Sequence, residues 1–266
     1  MRVPLRLLIV PVLLSLLASL AAAQFRGLRQ DDDDEIALPG DAGEKTEWAF
    51  ARLRYSGGAV SDCYRGAWSR WAVDAPKADR QFVQGVRRLS RIHTRSVEQV
   101  VEPDSEELFN WPWIYAVEVG SWNFPGDQAQ QMREYLLKGG FLMVDDFHGA
   151  CEWSAFLNGM RQIFPDRNIE DLDDKDEIFH VLYDLEQRLQ IPGINYLRSG
   201  RTYQRDGVEP RWRAIRDDQG RIMVAICHNM DLGDAWEWAD SPYYPERFTS
   251  LAYRIGINYI IYSMTH

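Results

Sequence analysis

The stretch Asp145-Asp146-Phe147-His148-Gly149 concentrates the chemistry of this 266-residue chain. Two carboxylates and an imidazole in one turn are the parts of an acid/base pair or of a metal site. A second group, Cys227-His228-Asn229-Met230-Asp231, sets another imidazole three residues before another carboxylate, with Asp234 and Glu237 beyond it. Neighbours on a strand point to opposite faces, so Asp145 and Asp146 divide two tasks: one caps the following helix and the other faces a cleft. Together with His148, His228 and Asp231 they are of the types that hold a divalent ion. No H-E-x-x-H or comparable motif is present, however, so no metal ligand is assigned and the cofactor stays unknown. The plainer reading of the same residues is a turn capped by Asp146, with His148 as a hydrogen-bonded rim residue.

Other chemistries are less well supported. No G-x-S-x-G elbow, G-x-G-x-x-G turn or Walker loop occurs. Cys151 opens a helix, where a thiol's pKa falls, and His148 or His228 is the available base. The thiol lies three residues beyond His148, though, and Cys227 and His228 point to opposite faces of a strand. Buried structural thiols are expected at both Cys151 and Cys227. Three cysteines, Cys63, Cys151 and Cys227, leave at least one free or paired with another chain. Trp236, Trp238, Tyr243 and Tyr244 sit among acids; they form either a stacking platform for sugar or a staple that holds a long loop to the body.

These residues need a frame. Phe141 to Val144 is an apolar run without charge, as in a strand buried on both faces. Gly139-Gly140 before it stops a helix over Gly126–Lys138, with Met132, Tyr135 and Leu136 inward. Upstream, strands are expected over Glu47–Tyr55, Ser96–Val101 and Pro112–Val119. A helix over Pro76–Ile92 carries Ala78, Phe82, Val83, Val86 and Leu89 on one face, and Glu102–Phe109 is a turn with a short helix. A helix over Cys151–Phe164 follows the central strand. This alternation implies a parallel sheet with right-handed crossovers. After Pro165 come a polar acidic stretch, an irregular segment over Gly193–Gly207, and a hairpin of Trp212–Arg216 and Arg221–His228 around Asp217-Asp218-Gln219-Gly220. Asp231–Tyr244 reads as a long loop and Phe248–Ser263 as the closing helix. Ligands bind at the carboxyl ends of strands in such sheets. The candidate ligand-binding set is therefore Gly57, Gly58, Ser121, Trp122, Asp145, Asp146, His148, His228 and Asp231.

Composition bounds the rest. Hydrophobic residues make up 45% and charged residues 26%, ordinary for a soluble domain. Arg2 and Arg6, the apolar run Leu7–Leu20 and Ala21-Ala22-Ala23 read as a signal peptide, cleaved before Gln24. That run is too short for a comfortable membrane span, so the chain is expected to be exported, to the periplasm or outside the cell, with no stable span after cleavage. Residues 24–46 read as a disordered acidic linker around Asp31-Asp32-Asp33-Asp34-Glu35, and residues 47–266 as a single α/β domain. The formal net charge is −10, falling to about −12 without Arg2 and Arg6. That disfavours nucleic acid as a partner.

Several pieces in order resemble a known family. They are Ala51-Arg52-Leu53-Arg54-Tyr55 with Gly57-Gly58, Pro112-Trp113-Ile114-Tyr115, and Arg133-Glu134-Tyr135-Leu136-Leu137-Lys138-Gly139-Gly140-Phe141-Leu142 with Asp145-Asp146. Phe164-Pro165, Ile178-Phe179-His180 and Gly256-Ile257-Asn258-Tyr259 complete the series. Over roughly residues 48 to 264 the chain resembles the domain-of-unknown-function family 4159 (DUF4159). The resemblance implies a flavodoxin-like α/β domain related to the class I glutamine amidotransferase-like superfamily, in bacterial proteins that are often exported or membrane-attached and without an established activity. Glutaminases of that superfamily carry a Cys at the strand-to-helix elbow and a later His-x-Glu. Here those places hold Asp145-Asp146-Phe147-His148 and His228-Asn229-Met230-Asp231, which argues against glutaminase chemistry. A branch with His at the elbow, similar to trehalose-utilisation proteins, points by analogy to sugar-related ligands. The expectation is an exported protein with a cleft at the sheet's carboxyl rim and a binding or accessory role in the cell envelope, for a small-molecule or carbohydrate ligand or an envelope protein partner. Whether it is an enzyme is left open; the alternative is a hydrolase of a carbohydrate or amide with an Asp/His acid-base site.

Overall fold

A computed structural model describes residues 38–57, 63 and 70–266. Five short parallel strands form its spine: β1 (Ala51–Leu53), β3 (Gln99–Val101), β4 (Trp113–Val117), β6 (Phe141–Asp145) and β9 (Ile222–His228). With β7 (Glu170–Asp171) and β8 (Arg211–Arg216) they make a seven-stranded sheet in the order β3-β1-β4-β6-β9-β8-β7. β8 runs antiparallel to β9, and β7 antiparallel to β8. A separate pair, β2 (Ser56–Gly57) and β5 (Trp122–Asn123), is antiparallel. The chain is thus an α/β fold with a mixed, mainly parallel sheet and a C-terminal β8–β9 hairpin.

Helices cover both faces, because β4 and β6 are apolar on both sides and must be buried on both. On one face lie α1 (Lys77–Leu89), α5 (Leu232–Glu237) and α6 (Glu246–Thr265), packed through Phe82, Trp236, Leu251 and Ile255. On the other lie α2 (Gln128–Leu137) and α3 (Gly149–Ile163), through Met132, Leu136, Phe156 and Ile163. A single turn, α4 (Tyr196–Ser199), interrupts the irregular segment before β8.

The alternation of elements follows the sequence reading, and most ends are trimmed. The first strand is three residues long rather than Glu47–Tyr55, although Trp48 still bridges to Thr94. The third stops at Val117, because Glu118 adopts a left-handed φ of 53° and a 3-10 turn follows. In α1, Ala78, Phe82, Val83 and Val86 are buried as expected, but Leu89 is 51% exposed. It is the last helical residue, and Ser90 turns the chain to an extended conformation before Leu89 can reach the sheet. The acidic stretch after Pro165 contains an unforeseen strand, β7.

Two corrections are larger. Asp231–Tyr244 is not one long loop: Asp231 caps α5, and Leu232, Ala235 and Trp236 fall on one helical face in the core. Trp236 packs on Phe82 with ring centroids 4.3 Å apart, because the cap turns the chain inward. The linker also does not run disordered to Thr46. Asp41 accepts hydrogen bonds from the Ser96 N–H (3.0 Å) and hydroxyl (2.7 Å) and pairs with Arg87. Asp31 to Glu35 and the signal segment lie outside the described residues.

Candidate functional site

Three adjacent parallel strands, β4, β6 and β9, each end on a non-glycine residue in the left-handed region: Glu118 (φ 53°), Asp146 (φ 51°) and Asn229 (φ 66°). The left-handed region is unfavourable for most side chains, and Asp and Asn tolerate it best. Each kink turns the chain across the carboxyl rim instead of letting it run on into solvent. Asp74, just before α1, shares the conformation (φ 64°).

The kink at Asp146 separates the two neighbouring carboxylates. Asp145 points under the sheet's end, fully buried. Its Oδ2 accepts from the Tyr115 hydroxyl at 3.1 Å and from the backbone N–H groups of Leu232 and Gly233 at 2.7 and 3.0 Å. It therefore binds the start of α5, where helical N–H groups lack partners of their own. Burial pushes its carboxyl up to about 7, against the lowering effect of those donors. Asp146 turns to the rim instead: its Oδ1 lies 2.9 Å from His148 Nε2. Burial and the charges of Glu118, Asp74 and Asp145 hold Asp146 well above the ordinary carboxylate range. Burial lowers His148 to about 3.

Asp231 completes the group. Its Oδ1 accepts the Asp234 N–H at 2.9 Å, so it caps α5. Ligand atoms of Asp146, His148 and Asp231 lie within 4.8 Å of one another. Burial and then Asp146 push the Asp231 carboxyl up. The rim as a whole is acidic, since Asp74 and Asp234 act on both Asp146 and Asp231.

The β9 end reaches this turn through Asn229. The Asn229 Oδ1 accepts the Gly149 N–H at 2.8 Å, and the Asp206 carboxylate accepts from Ala150 N–H at 3.2 Å. Glu152 accepts from the His148 N–H. Protein oxygens thus take the first N–H groups of α3, which leaves that helix start no role as an anion cradle. Gly149 holds φ 75°, and a Cβ there would sit 1.8 Å from Asp206 Oδ1.

Not every residue of the candidate set joins this group. His228 lies nearby but packs in a three-ring cluster with Phe147 and Trp153, with centroids 4.9 and 4.8 Å away. Its Nε2 is 3.3 Å from the Gly149 carbonyl, and burial lowers it to about 4. Ser121 is buried against Tyr55 and the Glu118 carbonyl, and Trp122 stacks on Phe156. Gly57 pairs with Trp122 in the small sheet, and Gly58 lies outside the described residues. The expected divided task of Asp145 and Asp146 is corrected in one respect. Neither carboxylate caps α3: Asp145 instead accepts from the first N–H groups of α5, beside the Asp231 cap.

Cys151 is not a buried thiol: it forms a disulfide with Cys63. Cys227 is free and buried. Trp236 and Tyr244 are buried, so they offer a ligand or partner no platform, whereas Tyr243 is 79% exposed. Sequence patterns passed over Asp74, Tyr115, Asn229 and Glu118. Of these only Asn229 had a local signal, as an Asn at a strand end, a residue type that tolerates positive φ.

Residues 49–264 match the family described as Domain of unknown function (DUF4159). The chain belongs to that family. The DUF4159 region thus includes all of the rim, from β1 through α6. No curated protein matches the chain.

Proposed function

We propose that this DUF4159 protein is an exported envelope protein that binds a small polar ligand, such as a carbohydrate, at the carboxyl rim of its sheet, with Asp146, His148 and Asp231 at the heart of the site. The observation that carries this reading is the run of strained strand ends at Glu118, Asp146 and Asn229. Each left-handed non-glycine residue costs on the order of 1–3 kcal/mol, and such strain clusters where a site has to be shaped. Here it gathers around buried carboxylates that a purely structural rim would replace with apolar groups. The Cys63–Cys151 disulfide supports export, because such bonds persist in oxidising compartments. It ties α3, which begins at the site, to a residue 88 positions earlier. The kinship with the glutamine amidotransferase-like superfamily is part of the same proposal, supported by the β6–α3 elbow at the centre of the rim.

A native mass spectrum of protein recovered from its own envelope fraction tests the reading. A small molecule should stay with wild type and be lost from Asp146→Asn and His148→Gln. If both variants carry the same bound molecules as wild type and melt higher, the rim is structural.

The Asp146–His148 hydrogen bond favours one second reading, hydrolysis of a carbohydrate or amide. It predicts turnover of chromogenic glycosides or anilides that disappears in His148→Gln.

A further inference from the structure

We propose that Asp146, His148 and Asp231 bind one divalent transition-metal ion, which in turn holds the polar ligand; the inference deepens, and rests on, the reading of the rim as a ligand site. Three ligand atoms from two loops converge within 4.8 Å. Around a tetrahedral ion at about 2.0–2.2 Å, such atoms lie roughly 3.3–3.6 Å apart. The Asp146 Oδ1 to His148 Nε2 distance of 2.9 Å is short of that by a few tenths of an ångström, within the reach of a side-chain rotation.

The second observation is independent of the acids. His148 is only 4% exposed, yet its Nδ1 has no hydrogen-bond partner among the described residues. A buried imidazole normally satisfies both nitrogens. Nε2, the nitrogen turned toward Asp146, meets only a carboxylate oxygen and no N–H or hydroxyl donor among the described residues, so one ring lone pair is left for a cation whichever nitrogen carries the proton. Charge points the same way. Among the described residues no Arg or Lys forms an ion pair with Asp146 or Asp231, while Arg205 is paired with Glu152 and Arg70 with Glu118. Buried carboxylates are ordinarily paired with a cation or coordinate a metal.

The donor set selects the ion. One imidazole nitrogen with two carboxylate oxygens suits zinc, manganese or ferrous iron, whereas calcium and magnesium prefer all-oxygen sets. Three protein ligands leave at least one position for the exogenous ligand, as in sites that work on a substrate rather than brace a fold. The ligand class that follows is one with vicinal hydroxyls or a carboxylate.

The test uses the full mature chain, dialysed against EDTA and then titrated calorimetrically with Zn2+, with Ca2+ and Mg2+ in parallel. The variants are Asp146→Asn, His148→Gln and Asp231→Asn. Asn tolerates left-handed backbone at 146 and still caps a helix at 231, so these variants keep the fold. His180→Ala, which alters an exposed imidazole beside Asp184, is the control. The expected result is one Zn2+ per chain, at least about tenfold weaker in each rim variant and unchanged in the control, with Ca2+ and Mg2+ binding far more weakly. No stoichiometric Zn2+ binding by wild type, or equal binding by the three rim variants, overturns the metal site. A small molecule retained in EDTA would leave the ligand site standing without its metal. Zn2+ binding with no retained molecule would do the reverse.

Discussion

Asn229 Oδ1 accepts the backbone N–H of Gly149 at 2.8 Å, and this bond joins the end of β9 to the start of α3. The Asn229 amide also donates to the Glu209 carbonyl at 2.7 Å. One side chain thereby ties together three segments around the Asp146–His148 turn, on a residue whose φ of 66° excludes most alternatives.

Asn229→Ala should therefore destabilise the chain by roughly 1–3 kcal/mol, since it leaves a buried N–H and a carbonyl unpaired and removes the amide that helps Asn tolerate positive φ. Asn229→Gly loses the same bonds and relieves the backbone, so it should cost less than Ala. Denaturant unfolding of the two variants checks the order. Equal losses would mean the backbone conformation contributes nothing.

Arg52 and Asp79 form a fully buried pair, with Arg52 Nε donating to Asp79 Oδ2 at 2.8 Å. Arg52 Nη1 also donates to the carbonyls of Trp71 and Val73, at 2.9 and 3.0 Å, and so holds the segment that delivers Asp74 to the rim. Removing one partner strands a buried charge. Asp79→Ala should cost roughly 3–5 kcal/mol, and Arg52→Met a similar amount. The double variant should cost clearly less than the sum of the two. Additive losses in a double-mutant cycle would show that the two groups do not act as a pair.

The disulfide closes a span of 88 residues. Its loss should remove on the order of 4–5 kcal/mol on the chain-entropy account. Denatured but unreduced protein should take up one alkylating group, at Cys227, and reduced protein three. Native protein should take up none, since Cys227 is buried. Three groups on denatured, unreduced protein would refute the bridge.

Asp74 supplies the pH dependence that is simplest to isolate. Burial, then the charges of Asp234 and Glu237, with Arg52 opposing and Asp145 adding, raise it from 3.8 to about 8. Between pH 4 and 8 the folded state therefore holds a proton that the unfolded chain has released. Stability from this group is fully present below the unfolded pKa and is lost as pH rises through about 8. Asp74→Asn should flatten the fall in melting temperature between pH 5 and pH 8. Asp145, Asp146 and Asp231 contribute slopes of the same sign, so the fall should shrink rather than vanish. Parallel pH profiles for wild type and variant would be the contrary result.

Sequence alone determined the central strands, the helices between them and the hairpin, but not β7 or α5. The charge-free run Phe141–Val144, the glycine stop at Gly139-Gly140 and the one-sided apolar face of Phe82, Val83 and Val86 are local patterns, and local patterns report periodicity and burial. The hairpin turn at Asp217–Gly220 was legible for the same reason: Asp217 Oδ1 accepts from Gln219 and Arg221 within the turn itself. Tertiary structure decided which polar residues meet. β9 slots in parallel beside β6 although 81 residues separate their first positions, Phe141 and Ile222, and only that pairing brings Asp231 to Asp146 and His148. Asp74 reaches the rim through a buried Arg52 that no local pattern foretells. The kinks at Glu118, Asp146 and Asn229 share this origin: side-chain type permits a left-handed turn, but packing between neighbouring strands is what imposes it.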